Sequence, residues 1–337
     1  MSNILGFDIG SYSVKIVKYN GSRIVNAVDA VLPDNMIKDG QIVSYDAMAD
    51  FLKQTVKTHG LGGGDAALVL SYSAYILRRF EMPLMTEDQL ALNLPYEFHD
   101  FLDMDKDKYY YDYAVNSIFE APENEEGAEK TEAGGKRMDI TAAAIAKEEV
   151  NELRQMFRRA GLKLVTAVPK ECAFSNILRY SGVKNDFECC FLSVGHTRST
   201  VDIFKGDVFQ SNRTADIGIA QVEEQIAENR NVDIHVAREY LVANHGDVQN
   251  SENALVVYNA IAADFRKALN FYKFSNRESE IDSAYVYGKG FAINSLTDTI
   301  ESTTGFRLHS AAEFMPPAPS GVKDFANYLL AVGAVLQ

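Results

Sequence analysis

The sequence lacks any uninterrupted apolar run of membrane-spanning length, and its N-terminus has no basic stretch ahead of an apolar core. A helix that crosses a bilayer needs about 20 consecutive apolar residues, and a secretory signal needs the second pattern. We therefore expect a soluble protein that stays in the cytoplasm and has no membrane span of its own.

Basic residues are the minority among the charged side chains: 33 Lys and Arg against 47 Asp and Glu give a formal net charge of −14. Proteins that bind nucleic acid concentrate Lys and Arg where the phosphate backbone lies, and this sequence has no basic run. The composition therefore excludes a dominant nucleic-acid-binding surface and leaves open only a local basic patch. An acidic surface should also avoid direct contact with anionic lipid.

Cysteine is scarce as well. Cys172, Cys189 and Cys190 do not have the spacing of a metal site, and the adjacent pair lies in an apolar run. Free cysteine behaves as a small apolar residue, so we predict three buried thiols. The six histidines are scattered, and His196, in a predicted turn, is interpreted as a turn residue in preference to a catalytic base.

The length of 337 residues is large for a single hydrophobic core and favours two lobes. An internal repeat supports the same conclusion. Three short strands are predicted over residues 4–8, 14–19 and 24–31, with turns at Gly10 and Gly21. The segment 189–213 predicts the same pattern, with turns at Gly195 and Gly206. In each copy the two turn glycines are 11 positions apart.

Hydrophobic periodicity predicts the other elements. Helices are predicted for residues 44–58, 147–161, 218–228, 236–242, 254–275, 291–303 and 325–337, and strands for residues 66–71, 109–119, 139–146 and 283–287. A capping box at Thr86 begins a further helix, which Pro95 should kink or end. The stretch 120–137 has six Glu and is interpreted as a solvated hairpin loop. The tyrosines near Tyr110 either pack on a sheet or edge a peptide groove.

The first turn carries residue types that bind phosphate. Asp8, Gly10, Ser11, Ser13 and Lys15 place backbone amides, hydroxyls and an ammonium between two predicted strands. Concave turns of this kind bind anions, and an acidic residue before the turn can hold Mg²⁺ through water. A plain hairpin turn is the alternative, since such residues often occur together by chance.

Two later turns strengthen the phosphate hypothesis. Gly195 and Thr197 lie in the turn of the second copy, which would face the first turn across an interlobe cleft, where ligands commonly bind. Gly288, Lys289 and Gly290 follow a strand and precede a helix, which suits close approach to a base or ribose. The three turns in this order predict a nucleotide site.

Some charged positions have two interpretations. Lys289 would lie near the phosphates and partly replace metal charge, or it is a solvated loop residue. Glu223 and Glu224 would contact a ribose, or they belong to a solvated helix face.

These segments resemble the actin, Hsp70 and sugar-kinase superfamily. Residues 5–15 resemble its first phosphate motif, residues 191–204 its second and residues 284–291 its adenosine motif. Within that superfamily the sequence is most similar to the type IV pilus assembly protein PilM family, a relative of the cell-division protein FtsA. The segments that carry this closer resemblance are residues 79–86, Glu97, residues 160–163, Arg213, residues 217–218 and residues 330–334.

The resemblance implies an α/β, actin-like (ribonuclease H-like) two-lobe fold with duplicated mixed β-sheet cores and an inserted subdomain of the FtsA and PilM type. The expected domains are a lobe 1 core from residues 1–83, 165–185 and 320–337, the inserted subdomain from residues 84–164, and lobe 2 from residues 186–319.

The resemblance also implies a function. It indicates a cytoplasmic component of a type IV pilus, or related secretion, assembly platform, held at the inner face of the cell membrane through a partner. That partner would be the cytoplasmic N-terminal peptide of a PilN-like membrane protein, bound in a groove beside the inserted subdomain. Other pilus motor or platform proteins would be further partners. ATP would bind between the lobes, with Mg²⁺ held by Asp8 through water.

The sequence departs from the superfamily pattern where hydrolysis would be decided. Ser193 stands where the second phosphate motif has a metal-binding Asp, and residues 166–169 lack the usual acidic residue. Phosphoryl transfer needs a positioned metal and an oriented water, so we predict weak or absent hydrolysis and no catalytic residue. An active ATPase or small-molecule kinase of the superfamily is the alternative. A filament former at the membrane would call for a C-terminal amphipathic tail, which the apolar closing helix does not resemble.

Overall fold

The computed structural model describes residues 3–102, 105–120 and 135–336. Its strands are β1 (Ile4–Ile9), β2 (Ser13–Tyr19), β3 (Ile24–Val31), β4 (Ile37–Lys38), β5 (Gln41–Ile42), β6 (Gly64–Val69), β7 (Tyr75–Pro83), β8 (Tyr109–Glu120), β9 (Lys136–Ala146), β10 (Leu162–Val168), β11 (Glu188–Val194), β12 (Ser199–Lys205), β13 (Val208–Ala215), β14 (Ser283–Tyr287) and β15 (Arg307–Ser310). Its α-helices are α1 (Tyr45–Thr58), α2 (Glu87–Glu97), α3 (Lys147–Arg159), α4 (Lys170–Ser181), α5 (Ile219–Arg230), α6 (Ile234–Val242), α7 (Glu252–Ser275), α8 (Asn294–Thr304) and α9 (Leu329–Gly333). Within the described ranges, none of the helices is both long and apolar enough to cross a bilayer.

The chain forms two compact units. Unit 1 comprises residues 1–33 and 171–337, and unit 2 comprises residues 34–170. The solvated loop predicted for residues 120–137 falls mostly on residues 121–134, which lie outside the described ranges.

Unit 1 contains the predicted repeat as two antiparallel meanders. Strand β1 pairs with β2 from Ile4 opposite Tyr19 onward, and β2 pairs with β3. In the second copy β11 pairs with β12, and β12 with β13, in the same antiparallel order. Strand β14 adds in parallel to β11, and β15 adds in parallel to β14, so the second sheet is mixed.

Helix α7 supplies much of the core beneath this second sheet. Its predicted apolar residues Val257, Ile261, Phe265 and Leu269 are all buried, because they recur at helical spacing on one face. Each such burial contributes about 1.5–3 kcal/mol. The helix begins after Ser251, whose side chain accepts a hydrogen bond from the amide of Ala254.

Two of the three thiols are buried as predicted, since Cys189 and Cys190 lie in the core of unit 1. Cys172, on α4, is only partly buried, and the prediction for it was wrong. All three cysteines are free.

The helix predicted for residues 325–337 is shorter than expected. A 3₁₀ turn over Phe325–Tyr328 leads into α9, which ends at Gly333. A methyl group on Gly333 would overlap the carbonyl oxygen of Ala173, and one on Gly6 would overlap that of Ala331. These glycines allow α9 to pack directly on α4 and β1.

Two other predicted helices also begin or end differently. The helix predicted from Phe291 begins at Asn294, after a 3₁₀ turn over Lys289–Ala292. Helix α2 has the predicted capping box at Thr86, but it continues past Pro95 to Glu97. Because Pro95 lies in the last turn, its missing amide removes a bond only where the helix is about to end.

Unit 2 combines a parallel strand pair with a separate three-stranded sheet. Strands β6 and β10 pair in parallel, and α1 and α3 pack together through a 2.8 Å hydrogen bond from the Tyr45 hydroxyl to Glu149. The other sheet has the order β7-β9-β8, with both pairs antiparallel. Helix α2 covers one face of it, burying Leu90, Leu94 and Phe98.

Candidate functional site

The first predicted phosphate turn joins β1 and β2 in unit 1. The amide of Gly10 donates a 3.1 Å hydrogen bond to the carbonyl of Ser13, which closes the turn. Asp8 and Lys15 lie opposite each other in the strand register. A methyl group on Gly10 would lie 3.2 Å from the Lys15 Nζ and 3.1 Å from the Ser13 carbonyl oxygen, so the glycine lets the ammonium approach the turn.

The second turn repeats this geometry. The amide of Gly195 donates a 2.8 Å bond to the carbonyl of Arg198, and a methyl group on Gly195 would lie 3.1 Å from that oxygen. The first amides of α5 bond back to this turn, from Ile219 to the Gly195 carbonyl at 3.1 Å and from Ala220 to the His196 carbonyl at 2.8 Å. The two turns are therefore built alike.

The two turns contact each other directly. The Thr197 hydroxyl donates a 3.1 Å hydrogen bond to the Ser11 hydroxyl. The rings of Tyr12 and His196 lie 5.1 Å apart between their centroids. The structure thus brings Ser11 and Thr197, which the sequence had placed on separate turns of one site, within hydrogen-bonding distance.

The third predicted turn packs against the end of β11. Gly288 has a φ of +99°, and a methyl group on it would lie 2.9 Å from the Val194 carbonyl oxygen. A methyl group on Gly290 would lie 2.6 Å from the Val194 side chain. Close packing on β11 accounts for the absence of side chains at these two positions. That they approach a base or ribose stays a prediction.

Lys289 joins the third turn to the first meander. Its Nζ lies 2.7 Å from Asp29 Oδ2 and 5.0 Å from the centroid of the Tyr12 ring. The Arg238 guanidinium lies over the same ring at 4.7 Å. Two cations on one aromatic ring give Tyr12 a fixed, electrostatically favourable position beside the turns.

The buried carboxylate of Glu223, which the sequence analysis did not separate from that of Glu224, orders this region. Glu223 on α5 is buried, and its Oε2 accepts a 3.0 Å bond from Arg238 Nε and lies 3.1 Å from His196 Nε2. Glu223 therefore belongs to an internal network, not to a solvated helix face. Glu224 is exposed. Helical spacing could have distinguished these adjacent acids, because only Glu223 shares the face of Ile219, Val222 and Ile226.

The electrostatics of the first turn do not favour a metal. Burial raises the pKa of Asp8, and the neighbouring Lys15 opposes that rise. Asp8 is thus faced by an ammonium of its own chain. In the three described ranges no group of three His, Cys, Asp or Glu side chains is arranged to hold a metal ion.

The same turns offer partial recognition of an anion. Ser13 is buried, and its hydroxyl has no hydrogen-bond partner among the described residues. The Lys15 ammonium and the Ser11 and Thr197 hydroxyls converge on the same two turns. A phosphate group could accept hydrogen bonds there, once it displaced the Ser11–Thr197 contact. The residues fit a phosphate better than they fit Mg²⁺.

A second surface of interest is the sheet of unit 2. Tyr111 and Tyr113 pack toward α2, so the alternation of strand β8 places Tyr110 and Ala114 on the opposite face. Ala114 is exposed and lies opposite Thr141, which accepts a 3.0 Å bond from Asn116. Asp139 of the same sheet is buried and forms a 2.6 Å ion pair with Arg79.

This face is distinguished by its small side chains and by a free edge. Ala114, Thr141 and Ala143 form a shallow floor, and β8 pairs with β9 alone among the described strands. An edge strand presents unpaired main-chain groups that another chain can pair with. Tyr111 and Tyr113 therefore pack the sheet, as one of the two interpretations from the sequence has it, and Tyr110 lies on the opposite, exposed face.

Comparison with known proteins identifies relatives of this arrangement. The family model described as "Type IV pilus assembly protein PilM" matches residues 6–316. No curated protein sequence matched the chain.

Among solved structures, the "PilM-PilN type IV pilus biogenesis complex" is similar, with a TM-score of 0.80 and 19% identity, covering 98% of this chain and 97% of that chain. The ethanolamine utilization protein EutJ from Carboxydothermus hydrogenoformans gives a TM-score of 0.59 at 12% identity, covering 100% and 90%. MreB5 of Spiroplasma citri, bound to ADP, gives 0.54 at 10% identity, covering 99% and 95%. The chain has the actin-like fold with duplicated mixed sheets that the sequence predicted.

Proposed function

The chain belongs to the type IV pilus assembly protein PilM family, and from this premise we propose that it is an actin-like component of a pilus or related secretion platform. It binds the cytoplasmic N-terminal peptide of a PilN-like membrane protein. That peptide holds it at the inner face of the cell membrane, where other platform or motor proteins contact it. The relative solved as a PilM–PilN complex supports this choice of partner.

The observation that carries the peptide proposal is the open face and free edge of the β7-β9-β8 sheet. An extended peptide gains main-chain hydrogen bonds at an unpaired strand edge and specificity from side-chain pockets. The small floor residues Ala114 and Ala143 leave room for larger side chains of the peptide. This sheet lies within residues 84–164 except for β7, so we assign peptide binding to the inserted subdomain.

The test is a binding measurement with a synthetic N-terminal peptide of the PilN-like protein from the same organism. Ala114→Phe fills the floor, and we expect it to weaken binding by about tenfold or more, the effect of losing a well-packed contact. Ala91→Phe is the matched control, because Ala91 is exposed on α2, which covers the other face. Equal affinity of both variants and the wild type would place the peptide elsewhere.

We further propose that nucleotide binds at the turns of unit 1 with weak or absent hydrolysis. Asp8, Gly10, Ser11, Ser13, Lys15, Gly195 and Thr197 would surround the phosphates, and Gly288, Lys289 and Gly290 would border the adenosine. The convergence of hydroxyls and the Lys15 ammonium supports phosphate binding. The pairing of Asp8 with Lys15 and the presence of Ser193 argue against a metal-dependent catalytic centre.

A turnover assay with Mg²⁺-ATP, alongside titration calorimetry with ADP, tests both parts. We expect heat of binding but no phosphate release above that of an Asp8→Ala variant. Robust phosphate release that depends on Asp8 would instead support an active ATPase or small-molecule kinase. The peptide proposal is unaffected by either result, since it concerns a different surface.

A further inference from the structure

A cluster of cations lines a cleft between α3 and the start of β10 in unit 2. The cleft, of about 630 Å³, is bordered by Asn151, Arg154, Gln155, Arg158 and residues 162–164. The four polar residues of α3 recur at helical spacing and share one face. Lys163 follows on the adjoining strand, so three cations converge and none of the lining residues is acidic.

Two of the three acids of α3, Glu149 and Glu152, lie toward α1, and the third, Glu148, is exposed in the first turn. Glu149 accepts the hydrogen bond from Tyr45, and Glu152 lies near enough to that hydroxyl to contribute to raising the pKa of Tyr45. Arg159 pairs with Asp46. The Arg159 ion pair and the Glu149 hydrogen bond therefore lie toward α1, and none of the residues that border the cleft is acidic.

The three cations of the cleft repel one another, and no ion pair among the described residues offsets that repulsion. Arg154 and Arg158 are exposed and four residues apart, where like charges repel. Within residues 3–102, 105–120 and 135–336, neither arginine nor Lys163 forms an ion pair. The chain has a net charge of −14, so acidic residues are plentiful. Since three converging cations nevertheless form no ion pair, we take this surface to bind a negatively charged group of another molecule.

We propose that this cleft docks an acidic, extended segment of a partner protein. One arginine guanidinium binds one carboxylate through two parallel N–H···O hydrogen bonds. Asn151 and Gln155 supply both donors and acceptors for the main chain of a peptide. The concave shape fits a chain segment better than a flat bilayer. The inference does not rest on the proposed function, because it concerns different residues on a different surface.

The test uses a fluorescein-labelled peptide of ten glutamates separated by serines, followed by fluorescence anisotropy on the full chain. We expect saturable binding that weakens with added salt. The double variant Arg154→Gln/Arg158→Gln should bind about tenfold more weakly, as expected for the loss of two exposed charge pairs. Hydrogen exchange of residues 151–164 should slow on peptide addition in the wild type only.

The matched control is Lys53→Gln/Lys57→Gln. These exposed lysines are also four residues apart, on α1 of the same unit, and their removal changes the net charge equally. Binding within about twofold of the wild type is expected for this control, since long-range effects are screened. An equal loss in both double variants, or no binding by the wild type, would overturn the proposal. Binding to phosphatidylserine vesicles that depends on Arg154 and Arg158, without peptide binding, would show a membrane surface instead.

Discussion

The Thr197 hydroxyl donates a 3.1 Å hydrogen bond to the Ser11 hydroxyl, joining turns that lie 186 positions apart in the chain. It is a side-chain hydrogen bond between the two copies of the repeat. Under the proposed nucleotide binding, a phosphate group would have to displace this bond.

We predict a measurable coupling between these hydroxyls. Ser11→Ala and Thr197→Val should each destabilise the fold slightly, and the double variant should show a coupling of about 0.5–1 kcal/mol in urea unfolding. Pairing Ser11→Ala with Thr214→Val, at an exposed threonine of β13, should give simple addition. Additivity in both cycles would mean that the bond contributes nothing in solution.

Glu223→Gln should be strongly destabilising. Its carboxylate is 5% exposed and pairs with Arg238, which is 18% exposed, so the change leaves a poorly solvated cation without its counter-charge. We expect a loss of about 2–3 kcal/mol, somewhat below the range for a fully buried pair. Glu224→Gln, at the exposed neighbour, should stay within about 0.5 kcal/mol of the wild type. Comparable losses in both variants would contradict the network.

Gly290→Ala tests the packing of the third turn. The added methyl group would lie 2.6 Å from the Val194 side chain, and overpacking of this kind costs about 1–3 kcal/mol. Gly63→Ala is the control, since its methyl group would meet only the Gly161 carbonyl oxygen at 3.4 Å. Chemical denaturation of both variants measures the difference, and tolerance of Gly290→Ala would show that this turn is not tightly packed on β11.

The first turn should show a distinctive pH dependence. Burial raises the pKa of Asp8 in the folded state, so the folded chain binds this proton more tightly than the unfolded chain. Its contribution to stability therefore falls as pH rises from the unfolded pKa, near 3.8, through the folded pKa.

Asp8→Asn should accordingly gain stability relative to the wild type at pH 7, and the gain should shrink at pH 4. Urea unfolding at the two pH values measures it. Asp50→Asn, at an exposed aspartate of α1, should show no such change with pH. A gain for Asp8→Asn that is the same at both values would exclude titration of Asp8 as its cause.

Local patterns predicted the repeated meanders well. The strand from Ile24 to Val31 and the strand from Ser283 to Tyr287 were bounded correctly, because turn residues flank continuous β-forming runs. The equal spacing within the two glycine pairs also identified the turns at Gly10 and Gly195, which have the same closing hydrogen bond. Glycines at turns mark backbone geometry that is decided within a few residues, which is why the sequence reveals it.

Three features were missed or misplaced. Helix α4 was not predicted, although Ala173, Phe174, Ile177 and Leu178 recur at helical spacing and are buried. Glu223 was not separated from Glu224, although only Glu223 shares the helical face of Val222 and Ile226. Their contacts, of Phe174 with Phe191 and of Glu223 with Arg238, join distant segments and follow from no local pattern. The short length of α9 reflects its close approach to Gly6 and Ala173, which no local pattern reveals.

The contact between Gly6 and Ala331 has a consequence for how the protein is made. Strand β1 is synthesised more than 300 positions before Ala331, the residue that packs on its glycine. Residues 34–170 form a compact unit and are complete well before that point, and domains generally fold as units during synthesis. We conclude that β1 stays incompletely packed until Ala331 has been synthesised, and that Leu5 and Phe7, buried in the folded chain, are accessible to ribosome-bound chaperones during that interval.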